Sequence, residues 1–335
     1  MPKVNYLETH SNDPCFNLAF EEFVLKNRPE GDWLILWQNA NTIVVGLNQN
    51  TAEEINPDFV RSRGITVVRR ETGGGAVYHD LGNLNYSFIT DLGDAEQLTI
   101  ERFTAPVCRA LEAMGVRAET TGRNDITVEG LKVSGVAQRI YRKRILHHGT
   151  LLFDSDPAMV SGALNADPAK FQSKSAKSVR SRIGNIRSFL PEDMTMTQFW
   201  DRLLNELSGE GLSRCSLAPE ELEQVRELAE TKYRSWDWTY GRSPEYNFKN
   251  RRRLPGGTLE VRLRIVKGAI EEAQFIGDFM AKAGNSPAAE ALRGVPYRRE
   301  EAEKALSKLE LEPMFGGITL EDILDTMFGG EKDET

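Results

Sequence analysis

The order of apolar and polar positions predicts a chain of alternating helices and strands, followed by a smaller unit. Residues 11–27, SNDPCFNLAFEEFVLKN, read as a helix. Asp13 can cap it, Pro14 takes the first helical position, and Phe16, Ala19, Phe20, Phe23 and Val24 recur at helical spacing. Two apolar runs, 33–37 and 42–45, flank the turn-like stretch 38–41 and predict a pair of strands. A short helix after Asn56-Pro57 precedes strands at 66–70 and 83–89, and a helix over 98–114 stops at Gly115. Strands at 126–128 and 131–136 flank Glu129-Gly130, the composition of a tight hairpin, and 147–153 reads as a further strand. Helices then dominate: one after Asp156-Pro157, one at 197–207 and one at 219–232. The aromatic stretch 235–248 breaks the pattern, and Gly241-Arg242-Ser243-Pro244 within it has the composition of a domain junction and hinge. Beyond it lie a hairpin, 258–266 with 269–276 around Lys267-Gly268, and helices near Pro287, Arg299 and Thr319. In the last of these, Thr319 and Asp322 stand at capping-box spacing. The expected class is α+β: a mixed-sheet domain over 1–245 and a small α+β accessory domain over 246–335.

Composition narrows the partners. The chain has 335 residues, 40% of them hydrophobic and 27% charged, which excludes a disordered or collagen-like protein. Cys15, Cys108 and Cys215 are odd in number and far apart, which argues against a disulfide framework or a zinc knuckle. No apolar run approaches the ~20 residues of a membrane helix, and MPKVNYLETH has neither a signal-peptide core nor a lipidation motif, so a cytoplasmic location is expected. A net charge of −8 speaks against nucleic acid and anionic lipid as partners. The charge is uneven: residues 122–187 hold 12 Lys or Arg against 5 Asp or Glu, whereas 300–335 hold 3 against 11. The basic segment is either a solvated face or a site for an anionic ligand or acidic partner.

The densest chemical feature is RRETGGGAVYHDLGN (69–83). Consecutive glycines let the backbone approach a ligand and present N–H groups to an anion, and Arg70 adds a permanent charge. The strand-like Ala76-Val77-Tyr78-His79 that follows counts against a Rossmann or P-loop turn, where a helix would open. In GRNDITVEGLKVSGVAQ (122–138), period-two alternation puts Lys132, Ser134 and Val136 on one face, and Gly135 removes a side chain from the other. Lys132 is then either directed at a ligand or an ordinary edge-strand lysine. In HHGTLL (147–152) the adjacent histidines point to opposite faces. None of the four histidines stands at metal-site spacing from Cys, Asp or Glu.

These three motifs, in this order and spacing, resemble lipoate-protein ligase A of the biotin/lipoate ligase superfamily. So do NLAFEE in the first helix, KSVRSRIGNI (177–186) and the aromatic junction. The resemblance covers residues 1 to about 245 and continues into the accessory domain, and it implies a biotin/lipoate ligase-like fold. It implies that ATP and lipoate, with octanoate as a possible substitute, form an acyl-AMP with pyrophosphate release. The acyl group then passes to a lysine of an acceptor lipoyl domain of a 2-oxoacid dehydrogenase or of the glycine-cleavage H protein. Lys132 matches the family's catalytic lysine, a stabiliser that meets both substrates. Arg70, Gly75, Ala76, Val77, Tyr78, Asn83 and Ala137 match nucleotide-binding positions. Thr72, Gly74, His79, His148 and Gly149 match the lipoyl pocket, and Asp125 is the implied Mg²⁺ ligand. One departure is visible: Glu71-Thr72 stands where the family often has two small hydroxyl residues, so Glu71 brings negative charge near the phosphates unless it points away.

Two other functions use the same features. An ATP-independent octanoyl- or lipoyl-transferase of this fold would carry the acyl group on a reactive cysteine, and none of the three lies in the glycine loop or on the Lys132 strand. A noncatalytic lipoyl-domain binder would not need the Lys132, Arg70 and glycine-loop set. Acceptor domains are generally acidic, so Arg139, Arg142, Lys143 and Arg144 are the expected docking patch, with Arg180 and Arg182 either joining it or binding phosphates.

Overall fold

The computed structural model describes residues 4–49, 51–93, 100–121, 124–164, 183–208, 211–240, 248–266 and 268–328. Its strands are β1 (Val4–Glu8), β2 (Trp33–Trp37), β3 (Thr42–Val45), β4 (Thr66–Arg69), β5 (Val77–His79), β6 (Asn83–Asp91) and β7 (Ala118–Thr121). They continue with β8 (Asp125–Val128), β9 (Leu131–Tyr141), β10 (Arg144–Leu152), β11 (Leu212–Arg214), β12 (Phe248–Leu254), β13 (Gly257–Val266) and β14 (Ala269–Gly277). The main sheet runs β11-β1-β2-β6-β10-β9-β8-β7; it is parallel across β11, β1 and β2 and antiparallel beyond β2. The architecture is mixed-sheet α+β.

Both faces of this sheet are covered, which explains the unbroken apolar run of β2. Leu34 and Leu36 enter one core with Val107 and Leu111 of the Ile100–Ala113 helix and Phe199 and Leu203 of the Met196–Ser208 helix. Ile35 and Trp37 enter the other, under the Pro14–Asn27 and Pro219–Leu228 helices. The first of those helices begins as its sequence directs: Pro14 is at its start and the Asp13 side chain accepts from Cys15 N at 3.0 Å. The small sheet β4-β3-β5 turns Val44 and Val68 into this second core and Ile43, Val45 and Tyr78 into another with Val160 and Ala163, and the glycine loop connects β4 to β5.

Several expectations are corrected. The runs 33–37 and 42–45 do not pair with each other: β2 joins β1 and β6, whereas β3 joins β4 and β5. The short connection between them crosses from one sheet to the other. A strand, β11, occurs in the stretch expected to be mainly helical, and it extends the sheet beside β1. The C-terminal hairpin is a three-stranded sheet, because β12 pairs antiparallel with β13. That sheet and the helices Ser286–Ala291, Arg299–Leu306, Glu312–Phe315 and Leu320–Phe328 enclose a core of their own. The Thr319 cap forms as expected: Asp322 N donates to Thr319 Oγ1 at 3.1 Å and Thr319 N to Asp322 Oδ2 at 2.9 Å.

Candidate active site

Lys132 owes its position to a bulge. Between β8 and β9 the register shifts, with Ile126 opposite Ser134 but Thr127 opposite Lys132, so β9 carries one extra residue at Val133. The extra residue inverts the alternation. Lys132 therefore does not share a face with Ser134, which is fully buried, but with Gly135. Gly135 thus clears space on the lysine's own side: a Cβ there would sit 3.2 Å from Lys132 Nζ and 3.3 Å from its Cε. Asp125 Oδ1 lies 2.7 Å from Lys132 Nζ, and Gly184 N donates to Lys132 O at 2.9 Å, bringing the end of the 177–186 stretch alongside.

Two cavities meet at this lysine. The narrower, about 100 Å³, runs from Lys132 towards the first helix between Leu18, Trp37, Val44 and Val77, with His79, Asn85 and His148 on its walls. The larger, about 480 Å³, is bounded by Gly75–Tyr78, Asn124, Asp125, Leu152, Ile183 and three residues of the C-terminal unit. Lys132, Gly75, Ala76, Val77, Asn124, Gly135 and Thr150 line both.

The glycine loop is shaped by its own arginine. Arg70 is buried, and it donates from Nε to Thr72 Oγ1 (2.9 Å), from Nη1 to Val44 O (3.1 Å) and from Nη2 to Gly73 O (2.6 Å) and Gly75 O (2.9 Å). Burial lowers the guanidinium pKa to about 10, which leaves it charged at neutral pH. Gly74 holds φ at 87°, a left-handed conformation that glycine adopts at no steric cost. Thr72 takes part in a buried chain: its Oγ1 is 2.8 Å from His148 Nε2, and His148 Nδ1 is 2.9 Å from Glu21 Oε1, which also accepts from Ser87 Oγ at 2.5 Å. The first helix thereby reaches the loop through a chain of buried hydrogen bonds. His79 accepts at Nδ1 from Asn39 Nδ2 (3.1 Å), so its Nε2 carries the proton and is an unspent donor. Burial, with Arg70 and His148 nearby, pushes its pKa down to about 3.

Glu71 points away from the cavities. Its carboxylate is held by Lys232 and by Arg139 at 2.8 Å, while Arg139 Nη1 donates to Glu71 O at 2.8 Å. Lys232 also pairs with the buried Glu22 at 2.8 Å and lies over Trp238, 4.1 Å from the ring centroid.

The structure gathers Lys132, Arg70, Gly74, Gly75, Ala76, Val77, His79, Ala137, His148 and Gly149 on the narrow cavity, and Tyr78 and Asp125 on the larger one. Thr72 and Asn83 line neither; Thr72 acts on Arg70 and His148, and Asn83 Nδ2 donates to Asn85 Oδ1 at 3.0 Å. Sequence reasoning missed Asn85, Asn124, Gly135 as a spacer, and Thr150, which accepts from Gly135 N at 3.1 Å. Alternation from His148 along β10 would have identified Thr150. Of the basic patch, Arg139 is tied to Glu71, and the buried Arg144 is tied to Asp91 (2.6 Å) and Gly31 O (2.7 Å). Only Arg142 and Lys143, at the exposed β9–β10 turn, remain of those four. Arg180, Arg182 and the 241–244 hinge lie outside the described residues.

Residues 13–208 match the family model for the lipoyl protein ligase A/B catalytic domain, and residues 243–327 match that for the bacterial lipoate protein ligase C-terminus. The chain is 43% identical to the lipoate-protein ligase LplJ of Bacillus subtilis over 323 residues, 95% of this chain and 97% of the relative. Among solved structures, P. falciparum LipL1 in complex with lipoate superposes with a TM-score of 0.77 at 24% identity, covering 97% of each chain. The bipartite lipoate protein ligase of Thermoplasma acidophilum, studied with its E2 lipoyl domain, gives 0.63 at 28% identity over 74% of this chain and 99% of that one. A lipoate-protein ligase A bound with ATP gives 0.61 at 24% identity over 72% and 98%.

Proposed function

Because the chain belongs to the lipoate-protein ligase family, whose reaction is ATP-dependent, we propose that Lys132 joins the two substrates at the meeting point of the two cavities. That position is the observation on which the reading rests. The narrow cavity takes the acyl chain, with its carboxylate at the Lys132 end, and the larger takes the nucleotide between Gly75–Tyr78 and Asn124. A carboxylate oxygen attacks the α-phosphorus, the bond to the β-phosphate breaks, and pyrophosphate leaves. The resulting acyl–phosphate anhydride is then attacked at its acyl carbon by a lysine amine of the acceptor, which loses a proton and expels AMP.

Two anionic groups meet in the first step, so a fixed ammonium between them stabilises charge where it is greatest. Asp125 keeps that ammonium paired and in place when no phosphate is present, and Gly135 leaves it room. Arg70 serves the reaction at one remove by fixing the loop carbonyls, so the loop's N–H groups face the nucleotide. Among the described residues no cluster of three His, Cys, Asp or Glu gathers. A Mg²⁺ ion would therefore be held by Asp125 together with the phosphates and water, a sparse protein contribution that suits this ion. When bound, it supplies further neutralisation of the phosphate oxygens.

The transferase alternative lacks its nucleophile. Burial raises the Cys15 thiol to about 11 and also raises Cys108, and none of the three cysteines lines either cavity. The acceptor is read as an acidic lipoyl domain or H protein that meets Arg142 and Lys143, with the division between catalytic and accessory units at 245/246. Among the described residues no helix is long and apolar enough to cross a membrane, and three free cysteines suit the cytoplasm. The test is pyrophosphate release with lipoate, octanoate or biotin, with and without a lipoyl domain. ATP-dependent release with lipoate in the absence of acceptor is expected. Transfer that proceeds without ATP and stops in a variant with all three cysteines changed to serine would instead establish the transferase.

A further inference from the structure

The C-terminal sheet brings a second cation to the larger cavity. Arg253, on β12, lines it with Asp278 and Met280, opposite Gly75–Tyr78 and Lys132. Its Nη1 donates to Thr258 Oγ1 at 2.8 Å and lies 3.3 and 3.2 Å from the two Asp278 carboxylate oxygens, and the side chain remains 45% exposed. Asp278 is fixed separately, accepting from Thr258 N at 2.6 Å.

The segment that carries Asp278 and Met280 is docked on the glycine loop itself. Gly74 N donates to Phe279 O at 3.1 Å, and Gly277 N donates to Asn48 O at 2.7 Å. A Cβ on Gly73 would stand 2.6 Å from Ala281 N, so the two backbones touch. Arg253 is linked to this docked segment through strand pairing: it stands opposite Thr258 on β13, and Leu259 of β13 stands opposite Gly277. Among the described residues that line this cavity, Lys132 and Arg253 are the two cations, and each stands beside a carboxylate that also lines it, Asp125 and Asp278.

A triphosphate carries more charge than one ammonium can meet, and Lys132 is committed to the junction where the carboxylate and α-phosphate react. We propose that Arg253 binds the departing phosphates during adenylation, exchanging its Asp278 contact for phosphate oxygens. The long, looser Arg253–Asp278 pair, with one partner pinned elsewhere, suits such an exchange, and a guanidinium can hold two phosphate oxygens at once. The C-terminal unit then supplies a phosphate-binding group to the site. Once pyrophosphate has left, Arg253 has no further role, so the second half-reaction is independent of it.

This inference rests on the ligase reading, and the experiment separates the two. Full-length Arg253→Gln, Arg253→Lys and Asp278→Asn are compared with wild type in lipoate-dependent pyrophosphate release and in transfer from supplied lipoyl-AMP to a lipoyl domain. Arg253→Gln is expected to lower kcat/KM for ATP about 100-fold, the scale of losing one charged transition-state donor. The lysine variant should recover part of that loss, and KM for lipoate and the rate of transfer should stay within about twofold of wild type. Asp278→Asn removes the competing carboxylate and should raise kcat/KM for ATP severalfold. An unchanged ATP step in Arg253→Gln overturns the proposal. So does an equal loss in both half-reactions shared by Arg253→Gln and Asp278→Asn, which would make the pair a structural brace. A wild-type enzyme that releases no pyrophosphate would instead remove the ligase reading.

Discussion

Gly135→Ala separates the fold of the site from its chemistry. The added Cβ would lie 3.2 Å from Lys132 Nζ and 3.3 Å from Cε, whereas comfortable contacts lie at ~3.5–4.0 Å. The ammonium must then retreat by roughly 0.3–0.8 Å. Nothing else need move: Gly135 does not have a positive φ, and Lys132 is 37% exposed and free to swing outward. Stability should hold or rise by up to ~1 kcal/mol, since alanine narrows the unfolded ensemble. A misplacement of about 1 Å costs up to ~10²-fold in rate, so a shift of about half that should slow adenylation ~10-fold. Single-turnover pyrophosphate release measures the rate and urea unfolding the stability. Adenylation at the wild-type rate in the folded variant would refute the claim that the bulge and Gly135 position Lys132 for the reaction.

Reversing charge at Arg142 and Lys143 to glutamate should slow transfer to the acceptor several-fold at low salt, converge with wild type as salt rises, and leave lipoyl-AMP synthesis unchanged. If transfer is unaffected at low salt, docking lies elsewhere. Truncation after Tyr240 should retain transfer from supplied lipoyl-AMP while losing most ATP-dependent activation, since it removes Arg253 and uncovers the Gly73-Gly74 backbone. Normal activation with loss of transfer alone would make the C-terminal unit an acceptor dock. His147, stacked on Phe103 at 4.8 Å, and His79 are both pushed down to about 3 by burial. Below about pH 6.5 the unfolded chain protonates these rings while the folded one does not. Stability is therefore full above that pH and falls by about 1.4 kcal/mol per pH unit per histidine down to about 3. His147→Phe should be about 2 kcal/mol less acid-sensitive than wild type between pH 6.5 and 5, measured by urea unfolding; identical pH slopes would rule this out.

Much of this molecule is legible in its sequence, and the failures share a cause. Local signals such as the Asp13 and Thr319 caps are read correctly because capping involves residues two or three apart. The hairpin turn at Glu129-Gly130 is equally local; both residues have positive φ. Pairing is not local: β2 and β3 have similar apolar runs, but their partners are set by cores far along the chain. β12 escaped notice because KNRRR reads as a charged linker, although its alternate residues are partly covered by the Leu320–Phe328 helix and β13. In the site, residue types were visible and directions were not. One bulged residue reversed the partners of Lys132, Arg70 turned out to clasp its own loop, and Glu71 is drawn aside by Lys232, about 160 positions later. A basic run likewise does not reveal which of its members are buried, and Arg144 shows the consequence.

The most direct test is Lys132→Ala, assayed in both half-reactions with the fold checked by urea unfolding. A half-exposed strand residue of this kind contributes little to stability, so unfolding should stay within about 0.5 kcal/mol of wild type. Lipoyl-AMP formation should fall by at least ~10²-fold, because the charge at the junction of the two cavities is lost. A folded Lys132→Ala enzyme that still forms lipoyl-AMP at the wild-type rate would contradict the placement of the reaction at that junction.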